Sequence, residues 1–329
     1  MFRIIQLSLF LFILNKLNKV LLYILLLLVC IASLFVGVKE ISIQNLILFS
    51  EEELFVLFKS RVPRTIALVL TGVGLSISGF IMQQISQNKF VSPSTAGTLD
   101  AAKLGILFSI LWFPLGSALE KTLFALVFTL AASMIFITMV RKIQIKNVIL
   151  VPLIGIMFGS ILNAIATFFA YKNNIVQNVQ GWLLGDFSGI LEGNYEAVYF
   201  ILPAVILSYI YANQFVIVGM GESFSKNLGL NYNAIVGIGL FCISLTVSVT
   251  VVTVGAIPFL GLIIPNMVSM IYGDNLKKTL PYTALIGAIF IVCCDILGRL
   301  ILYPYEIPIG LTVGILGGIF FFYLIFKRK

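Results

Sequence analysis

Long apolar runs separated by short polar breaks cover almost the whole sequence. Ten of them reach or approach the length of about 20 residues that crosses a bilayer as a helix. They lie at 17–38, 62–84, 96–114, 120–140, 148–171, 195–213, 233–254, 257–272, 279–299 and 308–326. The pattern predicts an all-α, polytopic membrane protein with about ten transmembrane helices, forming a single transmembrane domain over residues 1–329.

The composition supports a membrane protein and argues against several other classes. Hydrophobic residues make up 60% of the chain and charged residues only 10%, whereas a soluble domain carries about 25% charged residues. The chain has no His, and its four Cys all fall within apolar runs. We therefore predict no metal site. The net charge of +8 needs no nucleic-acid partner, because the cations lie at the ends of the runs, next to membrane lipid.

The distribution of charge predicts the orientation. Segments on the same side as the N-terminus hold most of the Lys and Arg residues, and most Asp and Glu residues lie on the opposite side. Lys and Arg are enriched in cytoplasmic loops of membrane proteins. We therefore expect both termini to be cytoplasmic.

A polar segment between two apolar runs, Gly219–Leu230, falls on this cytoplasmic side. Glu222 and Lys226 are four residues apart, as are Phe224 and Leu228, so each pair shares a helix face. Gly229 can end such a helix in the left-handed conformation. The spacing predicts a short amphipathic helix. Its apolar side fits either a groove on another protein or the lipid headgroup region, and the residues alone leave both open.

Two arginines, Arg61 and Arg64, stand at the outer end of the second run, against the usual charge distribution. Their spacing allows them to present two guanidinium groups to carboxylates of a docking protein. The alternative is that both side chains extend to lipid phosphates.

Two further charged pairs lie near helix ends. Asp295 and Arg299 are four residues apart, and Asp100 and Lys103 are three apart. Ionisable residues at membrane depth are candidate functional sites, but each pair can also neutralise itself on one helix face. An ion-coupled transporter would use such residues at the bilayer midplane. Their position near span ends counts against that alternative.

Two tracts rich in small residues, Gly72–Gly79 and Gly255–Asn266, predict places where helices approach closely. The chain contains no GxxxxGK[ST] phosphate loop, so we expect no ATP hydrolysis by this chain. It also lacks a convincing set of catalytic side chains, which argues against an intramembrane enzyme.

Four stretches in order along the chain resemble the FecCD-type permeases of ferric-siderophore and vitamin B12 ABC importers. They are Arg61–Thr65, Ser78–Gln83, Gly255–Pro265 and Glu306–Gly310. Two more, Gln83–Pro93 and Gly273–Lys277, are most similar to the branch that imports catechol-type and petrobactin-like siderophores.

The resemblance implies a type II ABC importer permease fold in a bacterial cytoplasmic membrane. It implies a second permease subunit, identical or paralogous, and two ABC ATPase subunits that use ATP and Mg. A substrate-binding lipoprotein or periplasmic protein would deliver the ferric siderophore. The permease itself would bind no cofactor.

The resemblance also implies roles for particular residues. Within a coupling segment at about 215–232, the ATPase-docking residues are Gly221, Glu222, Phe224, Lys226, Leu228 and Gly229. Binding-protein docking is implied for Arg61, Arg64 and Arg299, and a cytoplasmic gate for Asn88, Phe90, Ile145 and Lys146. The chain departs from many relatives at Asn266, where they carry His, and at Asp100 and Lys103, where they carry small neutral residues.

Overall fold

The computed structural model describes residues 19–37, 51–143, 149–181, 184–273 and 276–327, and every regular element in these ranges is helical. The first half contains α1 (Lys19–Phe35), α2 (Glu51–Val56), α3 (Val62–Ile85), α4 (Thr98–Trp112), α5 (Ala118–Ile143), α6 (Leu150–Lys172) and α7 (Val176–Gly181). A π-helical stretch, Leu57–Arg61, joins α2 to α3, and a 3-10 turn, Ser94–Ala96, precedes α4.

The second half begins with a 3-10 turn, Glu196–Phe200, that leads into a helix broken in the middle. Its helices are α8 (Ile201–Ile210), α9 (Ala212–Gly219), α10 (Glu222–Asn227), α11 (Tyr232–Thr253), α12 (Leu260–Tyr272), α13 (Leu276–Ile301) and α14 (Ile309–Lys327). The segment Glu196–Ile210 meets α9 at an angle of 65°.

A helix occupies each of the ten apolar runs, which confirms the predicted positions. By length and composition, five helices in the described parts of the chain can cross a membrane, or six if the bent pair counts as one span. Three further apolar helices are shorter, and α12 has only 13 residues. The count of ten spans therefore stays a prediction.

Helix α3 lies at the centre of the bundle. Most of its 24 residues are buried, and it packs against α1, α8, α9, α11, α12 and α13. On the other side of α11, helices α4, α5 and α6 form a second group, in which α4 contacts both α5 and α6. One buried helix thus joins the end of the bundle predicted to face outward to the end predicted to face the cytoplasm.

Small residues let the neighbouring helices approach the backbone of α3, as the sequence predicts. A methyl group on Gly79 would collide with the carbonyl oxygen of Gly261 in α12. One on Gly72 would come within 2.8 Å of the Cα atom of Ala288 in α13. Close backbone approach maximises van der Waals contact, which drives helix association in lipid.

We expect Gly79→Ala to destabilise the protein by about 1–3 kcal/mol, because the added methyl group forces α3 away from α12. Gly237→Ala is the matched control. Gly237 faces open space on α11, so alanine there should stabilise the helix by about 0.5–1 kcal/mol. Thermal unfolding in detergent measures both. Equal melting temperatures for the two variants would contradict a tight α3–α12 contact.

Candidate coupling, gating and docking sites

The short helix α10 is fixed to the end of α9. Ser225 is buried, and its hydroxyl donates to the carbonyl oxygens of Ile217 at 3.0 Å and Gly221 at 2.8 Å. Gly221, at the start of α10, has a φ of 109°, which side-chain-bearing residues rarely adopt. The glycine thus allows the sharp turn that sets α10 beside α9.

The other end of α10 closes as predicted. Gly229 has a φ of 75°, in the left-handed region. The amide of Leu230 donates to Ser225 O at 3.0 Å, and the amide of Gly229 donates to Lys226 O at 2.9 Å. These two bonds form a Schellman motif, which satisfies carbonyl groups at the helix end. The helix is short but has defined ends.

The exposed side of α10 is both apolar and charged. Phe224 is 47% exposed and Leu228 is 56% exposed. Lys226 Nζ lies 2.8 Å from Glu222 Oε1. The pKa of Glu222 is lowered because Lys226 donates this hydrogen bond and brings a positive charge close to the carboxylate. The predicted helical pairs are therefore both present, and the apolar pair faces outward.

The start of α10 also lies close to the end of α3. A methyl group on Gly219 would collide with Gln84 Oε1, and one on Gly221 would lie 3.6 Å from Gln87 Nε2. The segment that follows α3, 86–93, contains two of the predicted gate residues, Asn88 and Phe90. A displacement of α9 and α10 would therefore push against Gln84 and Gln87, where that segment begins.

The predicted gate residues Asn88 and Phe90 form a tight turn after α3, which we call the gate turn after that prediction. The Asn88 amide donates to Gln83 O at 3.0 Å, and Asn88 Oδ1 accepts from the Phe90 amide at 2.9 Å. The rings of Phe90 and Phe321 meet edge to face, with centroids 6.2 Å apart. The other two predicted gate residues, Ile145 and Lys146, lie outside the described residues.

A residue to which the sequence assigned no role, Asn266, ties this turn to α12. Its Nδ2 atom donates to Lys89 O at 2.8 Å and to Leu262 O at 2.7 Å. Lys89 Nζ in turn donates to Ser269 Oγ at 3.0 Å. The available signal was a lone amide side chain directly after Pro265 in an apolar helix. The departure from His in many relatives therefore falls on a residue that holds the gate turn.

The three arginines that the sequence predicts to be docking residues bind acceptors within this chain. Arg64 Nη2 lies 2.7 Å from Asp295 Oδ1, and Arg64 Nη1 lies 2.7 Å from Glu306 Oε2. Arg299 Nη2 lies 2.6 Å from Asp295 Oδ2, which confirms the predicted pair on one face of α13. Arg64 therefore joins α3 to α13 and to the segment before α14.

Arg61 and Arg299 hold the end of α1. Arg61 Nη1 donates to Leu34 O at 3.0 Å and Val36 O at 2.5 Å. Arg299 donates to Ser33 O at 3.0 Å and to Ser33 Oγ at 2.6 Å. Cations stabilise the C-terminal end of a helix, whose last carbonyl groups lack helical partners. All three arginines are buried, with 4–9% of their surface exposed.

The second charged pair sits between α4 and α6. Lys103 is 1% exposed, and its Nζ atom donates to Asn163 Oδ1 at 2.5 Å. A methyl group on Gly159 of α6 would lie 2.6 Å from Asp100 Oδ2. Both charged side chains thus contact α6, so the pair tethers this helix to α4.

The sequence of the chain is similar to that of known permeases along nearly its full length. The FecCD transport family matches residues 25–327. The petrobactin import system permease protein YclN of Bacillus subtilis (strain 168) is 52% identical over 308 residues, which cover 94% of this chain and 98% of the relative. The ferric-anguibactin transport system permease protein FatD of Vibrio anguillarum is 48% identical and covers 91% of this chain, with 95% of the relative matched.

The fold also matches a solved structure, an inward-facing conformation of a metal-chelate type ABC transporter. The TM-score is 0.76 at 23% identity, and the match covers 93% of this chain and 97% of the other. This match in fold agrees with the higher sequence identity, 52% and 48%, to the two permeases named above. The chain belongs to the FecCD transport family.

Proposed function

We propose that this chain is the transmembrane permease subunit of an ATP-driven ABC importer that takes up a ferric siderophore, of catechol or petrobactin type, across the bacterial cytoplasmic membrane. The names of the two relatives support the substrate class, since both are permeases for ferric-siderophore systems. The observation that carries the proposal is α10: a capped, outward-facing helix with an exposed apolar pair, beside the turn that holds the gate residues.

The proposal includes partner proteins. A second permease subunit, identical or paralogous, completes the pathway, and two ABC ATPase subunits use ATP and Mg²⁺. A substrate-binding lipoprotein or periplasmic protein delivers the chelate. The chain spans the membrane several times with both termini in the cytoplasm. It makes no covalent change to the substrate and needs no cofactor of its own, so its work is mechanical.

The contacts suggest how force reaches the gate. The ATPase groove takes Phe224 and Leu228, and the bonds made by Ser225 transmit movement of α10 to α9. The contacts of Gly219 and Gly221 with Gln84 and Gln87 pass it to the end of α3. The bias comes from the different affinities of the ATPases for their nucleotide states, as any population shift requires.

The gate turn and α12 would then move together. Asn88 shapes the turn, Phe90 closes it against Phe321, and Asn266 binds the backbone of Lys89. Ile145 and Lys146 are assigned to a second part of this gate. The turn lies beyond the end of α3 at Ile85, so it can be displaced without unfolding that helix.

We also assign Arg61, Arg64 and Arg299 to the surface that meets the binding protein. Each already binds acceptors within the chain. Acidic residues of the docking protein would therefore compete with Asp295, Glu306 and the end of α1. Docking should then depend on ionic strength, since salt screens the attraction between an approaching acidic protein and these cations.

The coupling role of α10 predicts that Leu228→Asp disconnects the permease from its ATPases. A carboxylate buried without a partner in the ATPase groove should weaken docking by at least about 2 kcal/mol. We expect the ATPases to co-purify poorly and uptake into proteoliposomes to fall at least tenfold, with the permease still folded. Ser223→Asp adds the same charge on an adjacent, exposed face and should retain uptake. Normal uptake by Leu228→Asp would argue against docking through this face.

The docking role of the arginines predicts an effect of Arg61→Gln on the binding protein. Glutamine keeps hydrogen-bond donors for the end of α1 but removes the charge. We expect affinity at low salt to fall by about 1 kcal/mol and the dependence of affinity on salt to weaken. Lys172→Gln, which removes a cation from an exposed position outside this cluster, serves as the control. A lower melting temperature with unchanged salt dependence would leave Arg61 a purely structural role.

A further inference from the structure

An apolar groove runs along the outside of the bundle between α1, α12, α13 and α14. Its volume is about 570 Å³, and its walls include Leu25, Leu28, Ile264, Met267, Ile289 and Phe320. Among the described residues, no polar surface contributes to its lining. The groove opens away from the protein interior, because Leu21 and Leu28 of α1 are 48% and 56% exposed.

The groove has one charged end. On α13, Ile286, Ile289 and Cys293 line it, and Tyr282 and Lys278 continue the same helix face at spacings of four residues. Lys19 Nζ stands 5.5 Å from the centre of the Tyr282 ring, and this ring stacks on Tyr272 at 4.0 Å. Lys19 and the two tyrosines therefore meet where the apolar lining stops, and Lys278 follows one turn further along the same face of α13.

The length of the groove matches one half of a bilayer. At 1.5 Å per residue, α1 rises about 15 Å between Lys19 and Val29, the last groove residue on that helix. The hydrocarbon core of a bilayer is about 30 Å thick, so one leaflet contributes about half of that. Lysine and tyrosine at the end of such a groove occupy the depth at which headgroups lie.

We propose that this groove is a binding site for an anionic phospholipid of the leaflet on the Lys19 side, with an acyl chain between α1 and α12–α14 and the phosphate at Lys19 and Lys278. The apolar walls exclude a polar ligand, and the paired cations distinguish an anionic headgroup from a zwitterionic one. The site does not depend on the transported substrate or on the role of α10.

The lipid would contact the moving part of the protein. Ile263, Ile264 and Met267 face the groove, and the adjacent residue Asn266 binds the gate turn through Lys89 O. One helix, α12, thus separates the lipid site from the gate. An acyl chain in the groove would contact α12 beside the helices α13 and α14, against which α12 packs.

Tryptophan quenching by brominated phospholipids tests the proposal. The two native tryptophans are first replaced in Trp112→Phe/Trp182→Phe, and Leu28→Trp then places a reporter in the groove. The matched control is Ile206→Trp on α8, which is also exposed but lies outside the groove. Each is reconstituted with phosphatidylglycerol or phosphatidylcholine brominated on the acyl chains, at equal mole fraction.

We expect the groove reporter to prefer phosphatidylglycerol by at least about fivefold, since each lysine near a headgroup adds about 1 kcal/mol. Lys19→Gln/Lys278→Gln should abolish the preference, and the Ile206→Trp reporter should show none. Equal quenching of the groove reporter by both lipids, or the same preference at the control position, would overturn the proposal. So would a groove reporter that neither lipid quenches, because another protein segment would then fill the groove.

Discussion

The close approach of α12 and α13 to the backbone of α3 is the constraint on which the rest of the structure depends. Gly72 and Gly79 leave no space for larger side chains on the faces that meet these helices. Because lipid gives no hydrophobic reason for helices to associate, such packing has to come from contact between backbones. It keeps α3 buried, with the arginine cluster at one end and the turn of Asn88 and Phe90 at the other.

Both ends of α3 carry polar groups that need partners in apolar surroundings. At one end, Arg64 is neutralised by Asp295 and Glu306, and Arg61 and Arg299 satisfy carbonyl groups of α1. At the other, the gate turn is held by Asn88 and Asn266. A buried charge without a partner is strongly unfavourable, so the first set is rigid. The hydrogen bonds of these two amide side chains are neutral and weaker, at about 0.5–1.5 kcal/mol each, which is consistent with the predicted role of the turn in a gate.

Local pattern in the sequence predicted much of this architecture. The positions of the helices followed from apolar runs, and the ends of α10 followed from Glu222, Lys226 and Gly229. The partners of the arginines did not, because Arg64 and Asp295 are 231 residues apart. The bond from Asn266 to Lys89 spans 177 residues. Such contacts depend on which helices become neighbours around α3. The hydrophobic periodicity within one segment cannot predict that arrangement. The break between α8 and α9 was not predicted, because it falls at Tyr211 within an apolar run and neither proline nor glycine stands there.

In the proposed mechanism, ATP-driven movement of the ATPases displaces α10. This movement reaches the end of α3 and the gate turn, which then lets a ferric siderophore pass. Asp295 and Arg299 form an ion pair, and Lys103 donates to Asn163, so these charged side chains have partners within the chain. The most direct measurement is uptake of a labelled ferric siderophore into proteoliposomes that contain the permease, its ATPases and the binding protein. We predict uptake with ATP and no imposed proton gradient. Uptake driven by a proton gradient in the absence of ATP would contradict the account.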